Sequence, residues 1–105
     1  MTKPEIFDRI FNRGIIPLVT LEEAGEAIPL AQALLSGGVD VISVAFRTDA
    51  AEKAIRNLSE TGVLVGVCTV LDVKTAERAV QAGASFIMTP GFNHNVVKYC
   101  VCYRI

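Results

Sequence analysis

Four short apolar runs rich in Val and Ile recur about every 20 to 25 residues, each followed by a polar residue suited to capping and a helical stretch, and a glycine follows the first three of these stretches. They are IIPLVT (15–20), VDVISVAF (39–46), VLVGVCTV (63–70) and SFIMTP (85–90). Because none of them alternates apolar and polar residues, each run is typical of a strand covered on both faces in a parallel sheet. The pattern predicts an α/β fold of repeated βα units.

Capping signals place a helix before the first run and after each run. The expected N-terminal caps are Thr2 with Glu5, Thr20 with Glu23, Thr48 or Asp49, Asp72, and Asn93 or Asn95. Gly37 with Gly38 and, later, Gly83 are expected to end two of these helices, and Pro29 fits a first helical turn. The predicted order is one N-terminal helix followed by four βα units.

No linker, low-complexity tract or charge run divides the chain, so residues 1–105 are expected to form a single partial (βα)₄ domain. A chain of 105 residues builds one modest core. Four covered parallel strands fit two architectures, an open doubly wound sheet or the N-terminal half of a TIM (β/α)₈ barrel.

Charge and hydropathy exclude several classes of partner. Lys plus Arg is 10 and Asp plus Glu is 11, so a net charge of −1 gives no basic field for a nucleic acid or an anionic membrane. No apolar run approaches the roughly 20 residues of a membrane span. The start, MTKPEIFDRIF, lacks the apolar block of a signal peptide, so a cytoplasmic location is expected. The odd count of 3 cysteines favours reduced thiols over a disulfide framework.

The carboxyl ends of the predicted strands carry polar groups, and in parallel α/β folds ligands bind at that edge. The residues there are Thr20, Arg47, Thr48, Thr69, Thr89 and Pro90. An arginine offers a planar fork to a carboxylate, and hydroxyls and helix N-termini add donors, so the set suits a small anion. The alternative interpretation is that the threonines only end strands and cap helices.

The segment GVDVISVAFRT, followed by VGVCTVL and AGASFIMTPGF, resembles the 2-keto-3-deoxy-6-phosphogluconate (KDPG) and 4-hydroxy-2-oxoglutarate (KHG) aldolases. IIPLVT and AIPLAQALLSGG fit the start of that family in the same order, so the resemblance runs from about residue 6 to the C-terminus. It implies the first half of a TIM barrel and a homo-oligomer, typically a trimer. Family members cleave a 2-keto-4-hydroxy acid to pyruvate and an aldehyde through a lysine Schiff base, without a metal.

The same resemblance assigns roles to individual residues. Arg47 and Thr69 fall on residues that hold the keto-acid carboxylate, and Pro90 falls on a proline at the active-site edge. Ser43 stands where the family has its general acid and base, a glutamate. A serine hydroxyl is too weakly acidic to replace that carboxylate unaided, so the catalytic role of this position is in doubt.

The Schiff-base lysine of the family lies on strand six, which a chain of 105 residues does not reach. The lysines present are Lys3 at the N-terminus and Lys53, Lys74 and Lys98 on helices, and all of them are expected to be solvated at the surface. A nucleophilic lysine needs a desolvated position that lowers its pKa, so this chain alone is expected to be inactive.

Two functions therefore stay open. The first is a class I keto-acid aldolase of which these residues form the first half. The second is a non-catalytic, truncated half-barrel module that self-associates and at most binds small carboxylates such as pyruvate. Neither requires a cofactor or a metal. A zinc site from His94, Cys100 and Cys102 is disfavoured, because a C-x-C pair on a helix places its sulfurs on different faces.

Overall fold

The computed structural model describes residues 2–105, in which helices alternate with strands from end to end. The elements are α1 (Lys3–Arg13), β1 (Leu18–Val19), a short 3₁₀ helix (Ala24–Glu26), α2 (Ala27–Ser36), β2 (Val41–Ala45), α3 (Ala51–Ser59), β3 (Leu64–Cys68), α4 (Val73–Ala82), β4 (Phe86–Ile87) and α5 (His94–Cys102). The predicted helix followed by four βα units is confirmed. Within the described range, no helix combines the length and the apolar character needed to cross a membrane.

The strands form one parallel sheet in the order β1-β2-β3-β4. Ser43 in β2 lies opposite Leu18 of β1 and Gly66 of β3, and Gly66 lies opposite Phe86 of β4. The first and last strands are 2 residues each, much shorter than the runs 15–20 and 85–90 predicted for them. Both stand at an edge of the sheet and pair with a neighbouring strand on one side only. Fewer inter-strand backbone hydrogen bonds are therefore available to hold additional residues in the strand conformation.

Helices α2 to α5 all pack on one face of the sheet. Strand residues Ile42, Val44, Val65 and Val67 point into a core that is completed by residues of these helices, including Ala31, Ile55, Ala79 and Val96. A doubly wound sheet reverses its strand order and places helices on both faces. Sequential strand order with every crossover helix on the same side is the progression of a barrel, so the doubly wound alternative is wrong.

The opposite face, called here the inner face, is only partly covered. Near the amino ends of the strands, Val41, Leu64 and Phe86 form a second cluster against Ile6 and Ile10 of α1, together with Ile16 and Met88. Leu18, on the same face of β1, is 59% exposed. The expectation that the strands are covered on both faces therefore fails at the edge strand β1, whereas the inner-face residues of β2 and β3 are buried.

Three of the predicted caps are confirmed by backbone amides that donate to side-chain oxygens. The Glu5 amide donates to Thr2 Oγ1 at 3.4 Å while the Thr2 amide donates to Glu5 Oε2 at 3.3 Å. Asp72 Oδ1 accepts from the Thr75 amide at 2.8 Å, and Asn93 Oδ1 accepts from the Val96 amide at 3.2 Å. Local side-chain to backbone chemistry therefore sets these helix starts.

Two predicted caps are wrong. Thr20 does not pair with Glu23; the Glu23 amide instead donates to Glu26 Oε1 at 3.0 Å and opens the 3₁₀ helix. Neither Thr48 nor Asp49 caps α3, which begins after Ala50 without a side-chain cap. The Thr48 hydroxyl is already used, because it donates to the Leu21 carbonyl at 2.6 Å.

An ion-pair cluster ties α1 to the start of β2. Asp40 accepts from Arg9 Nε at 3.0 Å and pairs with Arg13 Nε at 2.7 Å. Burial of Asp40 alone would raise its pKa, but the Arg9 hydrogen bond and the positive charges of Arg9 and Arg13 outweigh it, so the pKa lies below the usual 3.8. The charged carboxylate is the form that the fold stabilises.

We expect Asp40→Asn to lower the free energy of unfolding by about 1 kcal/mol near neutral pH, since it removes the charge from a partly exposed pair. Because the folded-state pKa of Asp40 is depressed, its contribution is present above the unfolded-state pKa and is lost as the pH falls through the folded-state pKa. Urea unfolding near neutral pH and at about pH 3 should therefore show a smaller acid-induced loss in the variant. Asp8→Asn, at an exposed position of α1, is the control. Equal acid-induced losses in wild type and Asp40→Asn would contradict this assignment.

We expect the chain to self-associate, because within residues 2–105 β1 and β4 each leave one backbone edge without a strand partner, and Leu18 on the inner face of β1 is exposed. Light scattering at tens of micromolar should show dimers or larger species. Leu18→Lys places a charge on this edge and should shift the protein toward monomer.

Val101→Lys is the control for that change, because Val101 is similarly exposed, at 62%, but lies on α5. A monomeric wild-type protein with a sharp cooperative melt would refute the expected association. Equal dissociation by both lysine substitutions would show that the sheet edge is not the contact.

Candidate functional site

An open cleft of about 220 Å³ lies at the carboxyl ends of the strands. It is lined by Leu18, Cys68, Thr69, Met88, Thr89 and Pro90. Leu18 and Cys68 belong to the two strands that flank β2, whose last inward residue is the small Ala45. Two residues of the predicted site, Thr69 and Pro90, are thus walls of one cavity.

Thr69 has an unusual backbone at the point where β3 ends. Its φ is 61°, in the left-handed region that β-branched residues rarely occupy. Such conformations cost free energy and cluster at ligand-binding sites. No sequence signal revealed this feature, because a left-handed position favours glycine and the chain has a threonine here.

Arg47 lies at the same edge but is not a wall of the cleft. Its side chain is exposed in the turn after β2, and among residues 2–105 it makes no hydrogen bond or ion pair. The backbone places it close in the ladder to Thr69, because the Phe46 amide donates to the Cys68 carbonyl at 3.0 Å. The residues that immediately precede Arg47 and Thr69 are therefore hydrogen-bonded to one another. Because the Arg47 side chain is exposed and has no partner in residues 2–105, it is available to bind an anion.

Ser43 is fully buried on the inner face, two positions before Ala45 on β2. Its Oγ has no hydrogen-bond partner among the described residues, which is costly for a hydroxyl in an apolar setting. Its register partner Gly66 lies against the Phe86 ring so closely that a Cβ on this glycine would overlap the ring. The inner face at this level is therefore packed by an aromatic side chain next to an unsatisfied hydroxyl.

The other hydroxyls predicted at the strand ends are those of Thr20, Thr48 and Thr89. Two of them donate hydrogen bonds to backbone carbonyls, and the third does not line the cleft. Thr48 donates to the Leu21 carbonyl, and Thr89 donates to the Gly91 carbonyl at 2.6 Å although it lines the cleft. Thr20 is exposed and does not line it. For Thr48 and Thr89, these bonds favour the interpretation that the hydroxyls hold loops in place.

The lysines all lie on helices. Lys53, Lys74 and Lys98 are exposed, as expected. Lys3 departs from the expectation of a solvated lysine, because it is half-buried on α1 at the wall of an apolar cavity of about 270 Å³. His94 is exposed at the start of α5, and no three His, Cys, Asp or Glu side chains in residues 2–105 are grouped to hold a metal ion.

The chain matches known proteins along most of its length. The family model of the KDPG and KHG aldolases matches residues 6–105. The 2-dehydro-3-deoxy-phosphogluconate aldolase of Treponema pallidum is 44% identical over 102 residues, which are 95% of this chain and 49% of the relative. The corresponding aldolase of Haemophilus influenzae is 35% identical over 94% of this chain and 48% of the relative.

Solved structures agree with the sequence comparison. The crystal structure of the 2-keto-3-deoxy-6-phospho-gluconate aldolase from Zymomonas mobilis superimposes with a TM-score of 0.81 at 36% identity, over 85% of this chain and 44% of that one. The KDPG aldolase of Legionella pneumophila, solved with pyruvate captured at low pH as a covalent carbinolamine intermediate, gives a TM-score of 0.75 at 36% identity, over 80% of this chain and 42% of that one.

The match is to one half of these proteins. The chain spans about half the length of the curated relatives it matches, and the structural overlap covers 44% of the Zymomonas aldolase. Together with the same-side crossovers, this confirms the predicted N-terminal half of a TIM barrel. The chain belongs to the KDPG and KHG aldolase family.

Proposed function

We propose that residues 1–105 form a single partial (βα)₄ domain that supplies the carboxylate-binding part of a class I keto-acid aldolase. The complete barrel would cleave 2-keto-3-deoxy-6-phosphogluconate or 4-hydroxy-2-oxoglutarate to pyruvate and an aldehyde. The observation that carries this proposal is the convergence of Thr69 and Pro90 in one cleft at the carboxyl ends of the strands. In a family of this fold, that edge is where ligands bind.

The chemistry of the edge suits a keto-acid carboxylate. The Arg47 guanidinium has no internal partner among residues 2–105 and offers two parallel N–H donors to a carboxylate. Thr69 adds a hydroxyl from a wall of the cleft, beside the apolar walls formed by Leu18 and Met88. The pyruvate adduct of the Legionella relative supports pyruvate as the probe for this site.

Proton transfer would require a general acid and base at the cleft, and imine formation would require a lysine amine there. The described residues that line the cleft supply neither group. Ser43 is buried, lacks a hydrogen-bond partner among the described residues, and carries no acidic proton near neutral pH. No lysine lines the cleft. We therefore propose that this 105-residue chain binds the keto acid without turning it over.

A non-catalytic module is the second candidate function. It is favoured by the open edges of β1 and β4 and by the exposed Leu18 beside them, which suit association with another half barrel. In that case the same edge would bind a small carboxylate and the protein would have no reaction to perform. Imine trapping separates the two functions in the presence of a supplied second half.

Arg47→Ala should abolish weak pyruvate binding, because it removes the charged fork, while stability changes by no more than about 0.5 kcal/mol for an exposed residue. Arg47→Lys should rescue binding poorly, since an ammonium lacks the planar two-donor geometry. Affinity is measured by NMR titration with pyruvate.

Arg104→Ala is the control, because it removes one exposed positive charge after α5. Equal pyruvate affinity in wild type and Arg47→Ala would show that Arg47 does not bind the carboxylate. Equal weakening by both alanine substitutions would attribute binding to net charge alone.

Borohydride reduction with pyruvate should yield no selective lysine adduct on this chain at neutral pH, and neither aldol substrate should be cleaved. Ser43→Glu alone should change nothing, because a general acid and base cannot act without an imine. Intact-mass and peptide mass spectrometry detect the adduct.

If the second half of the barrel is supplied by a complementing fragment, trapping should appear on a lysine of that fragment. Turnover should then stay depressed until Ser43→Glu restores a carboxylate. A high-yield adduct at one site among Lys3, Lys53, Lys74 and Lys98 of the 105-residue chain would contradict this account.

A further inference from the structure

A single guanidinium on the helix side of the sheet connects the end of β2 to two helices. Arg78 of α4 stacks on the Phe46 ring, with Cζ 5.1 Å from the ring centroid. Its Nη2 also donates to Glu52 Oε2 of α3 at 2.9 Å. Phe46 itself packs against the buried core shared by these helices. The aromatic ring at the end of β2 is therefore held from both neighbouring helices.

Phe46 and Thr48, the two neighbours of Arg47, are also fixed by hydrogen bonds. The Phe46 amide donates to the Cys68 carbonyl at 3.0 Å, and the Thr48 hydroxyl donates to the Leu21 carbonyl at 2.6 Å. Between these two anchored residues, the Arg47 side chain is exposed. The turn thus combines a rigid backbone with one cationic side chain that has no internal partner in residues 2–105.

We propose that Arg78 is a positioning residue for the anion site: by stacking on Phe46 and pairing with Glu52, it holds the turn after β2 so that Arg47 is presented toward the cleft edge. This inference rests on the proposed carboxylate-binding function. Arg78 does not touch the ligand, because its ring partner packs on the helix side of the sheet while the cleft lies on the inner face.

The physical basis is the ordering cost of binding. A ligand that must immobilise a mobile turn loses affinity, and a turn that is already held does not impose that loss. A cation placed over an aromatic face at an exposed site is a weak interaction, so the effect on affinity should be modest. Arg78 restrains the turn that carries Arg47 by stacking on Phe46. Removal of Arg78 should therefore lower ligand affinity, because Phe46 and the turn lose this restraint.

Arg56 offers a matched control on the same surface. It pairs with Glu52 Oε1 at 3.5 Å, one helical turn along α3, and its side chain is exposed to a similar extent, 58% against 50% for Arg78. Only the Arg78 guanidinium is stacked on Phe46. Loss of either arginine removes one positive charge and one Glu52 contact, and only loss of Arg78 removes the stacking.

The test is an NMR titration of the full chain with pyruvate, with the fold of each variant checked by its amide spectrum. Arg78→Ala and Phe46→Leu should each weaken binding by about two- to fivefold, and the double variant no more than either single change. Arg56→Ala should bind like wild type. Arg78→Lys and Phe46→Tyr should rescue affinity, since each keeps a cation over an aromatic ring. Amide relaxation should show added motion at residues 46–49 in Arg78→Ala and in Phe46→Leu, and none in Arg56→Ala.

The outcomes separate this inference from the proposed function. If Arg47→Ala loses pyruvate binding but Arg78→Ala binds as tightly as Arg56→Ala, the positioning role is overturned and the carboxylate site stands. If Arg47→Ala binds like wild type, both proposals fall. If Arg78→Ala does not fold, the comparison of Phe46→Leu with Phe46→Tyr decides, and equal affinity in those two variants overturns the positioning role.

Discussion

The register between β2 and β3 is the constraint on which the rest of the structure depends. Both strands are fully buried, and five consecutive residue pairs align Val41–Ala45 with Leu64–Cys68. Because Ala45 faces Cys68, the two strands end at the same level, and Arg47 and Thr69 leave the sheet side by side. A slip of one residue would turn every inward side chain outward and separate the site from its core. Packing in the core thereby sets the geometry of a polar edge.

The same register explains the composition of the inner face. Ser43 lies between Leu18 and Gly66, and the glycine leaves the room that the Phe86 ring occupies. The Phe86 ring packs in the cluster that fills this face near the amino ends of the strands, and the cleft lies at their carboxyl ends. The buried Ser43 hydroxyl has no partner among the described residues and stands where the family resemblance implies a carboxylate, so we propose that this chain binds a keto acid without transferring a proton.

Most features set by nearby residues were predictable from the sequence, with the Thr20–Glu23 pair as an exception, and features set by distant residues were not. Asp72 and Asn93 cap their helices as predicted, because an N-cap bonds within three residues of itself. Thr48 was mistaken for a cap because its acceptor, Leu21, is 27 positions away in the chain. Apolar strand runs also fit barrels and doubly wound sheets equally, so only the side on which helices pack distinguishes them. The left-handed backbone of Thr69 carries no sequence signal at all.

We propose that a small keto acid binds at the carboxyl ends of the strands. Amide shift mapping during a pyruvate titration tests it most directly, because it reports on every part of the chain at once. We expect the largest shifts on the amides of Thr69 and Thr89, which line the cleft, and of Arg47 at the same sheet edge. The amides of Gly62 and Gly83, which line a separate cavity of about 410 Å³, should stay unchanged. Saturable shifts centred on that second cavity, with none at Arg47 or Thr69, would contradict the account.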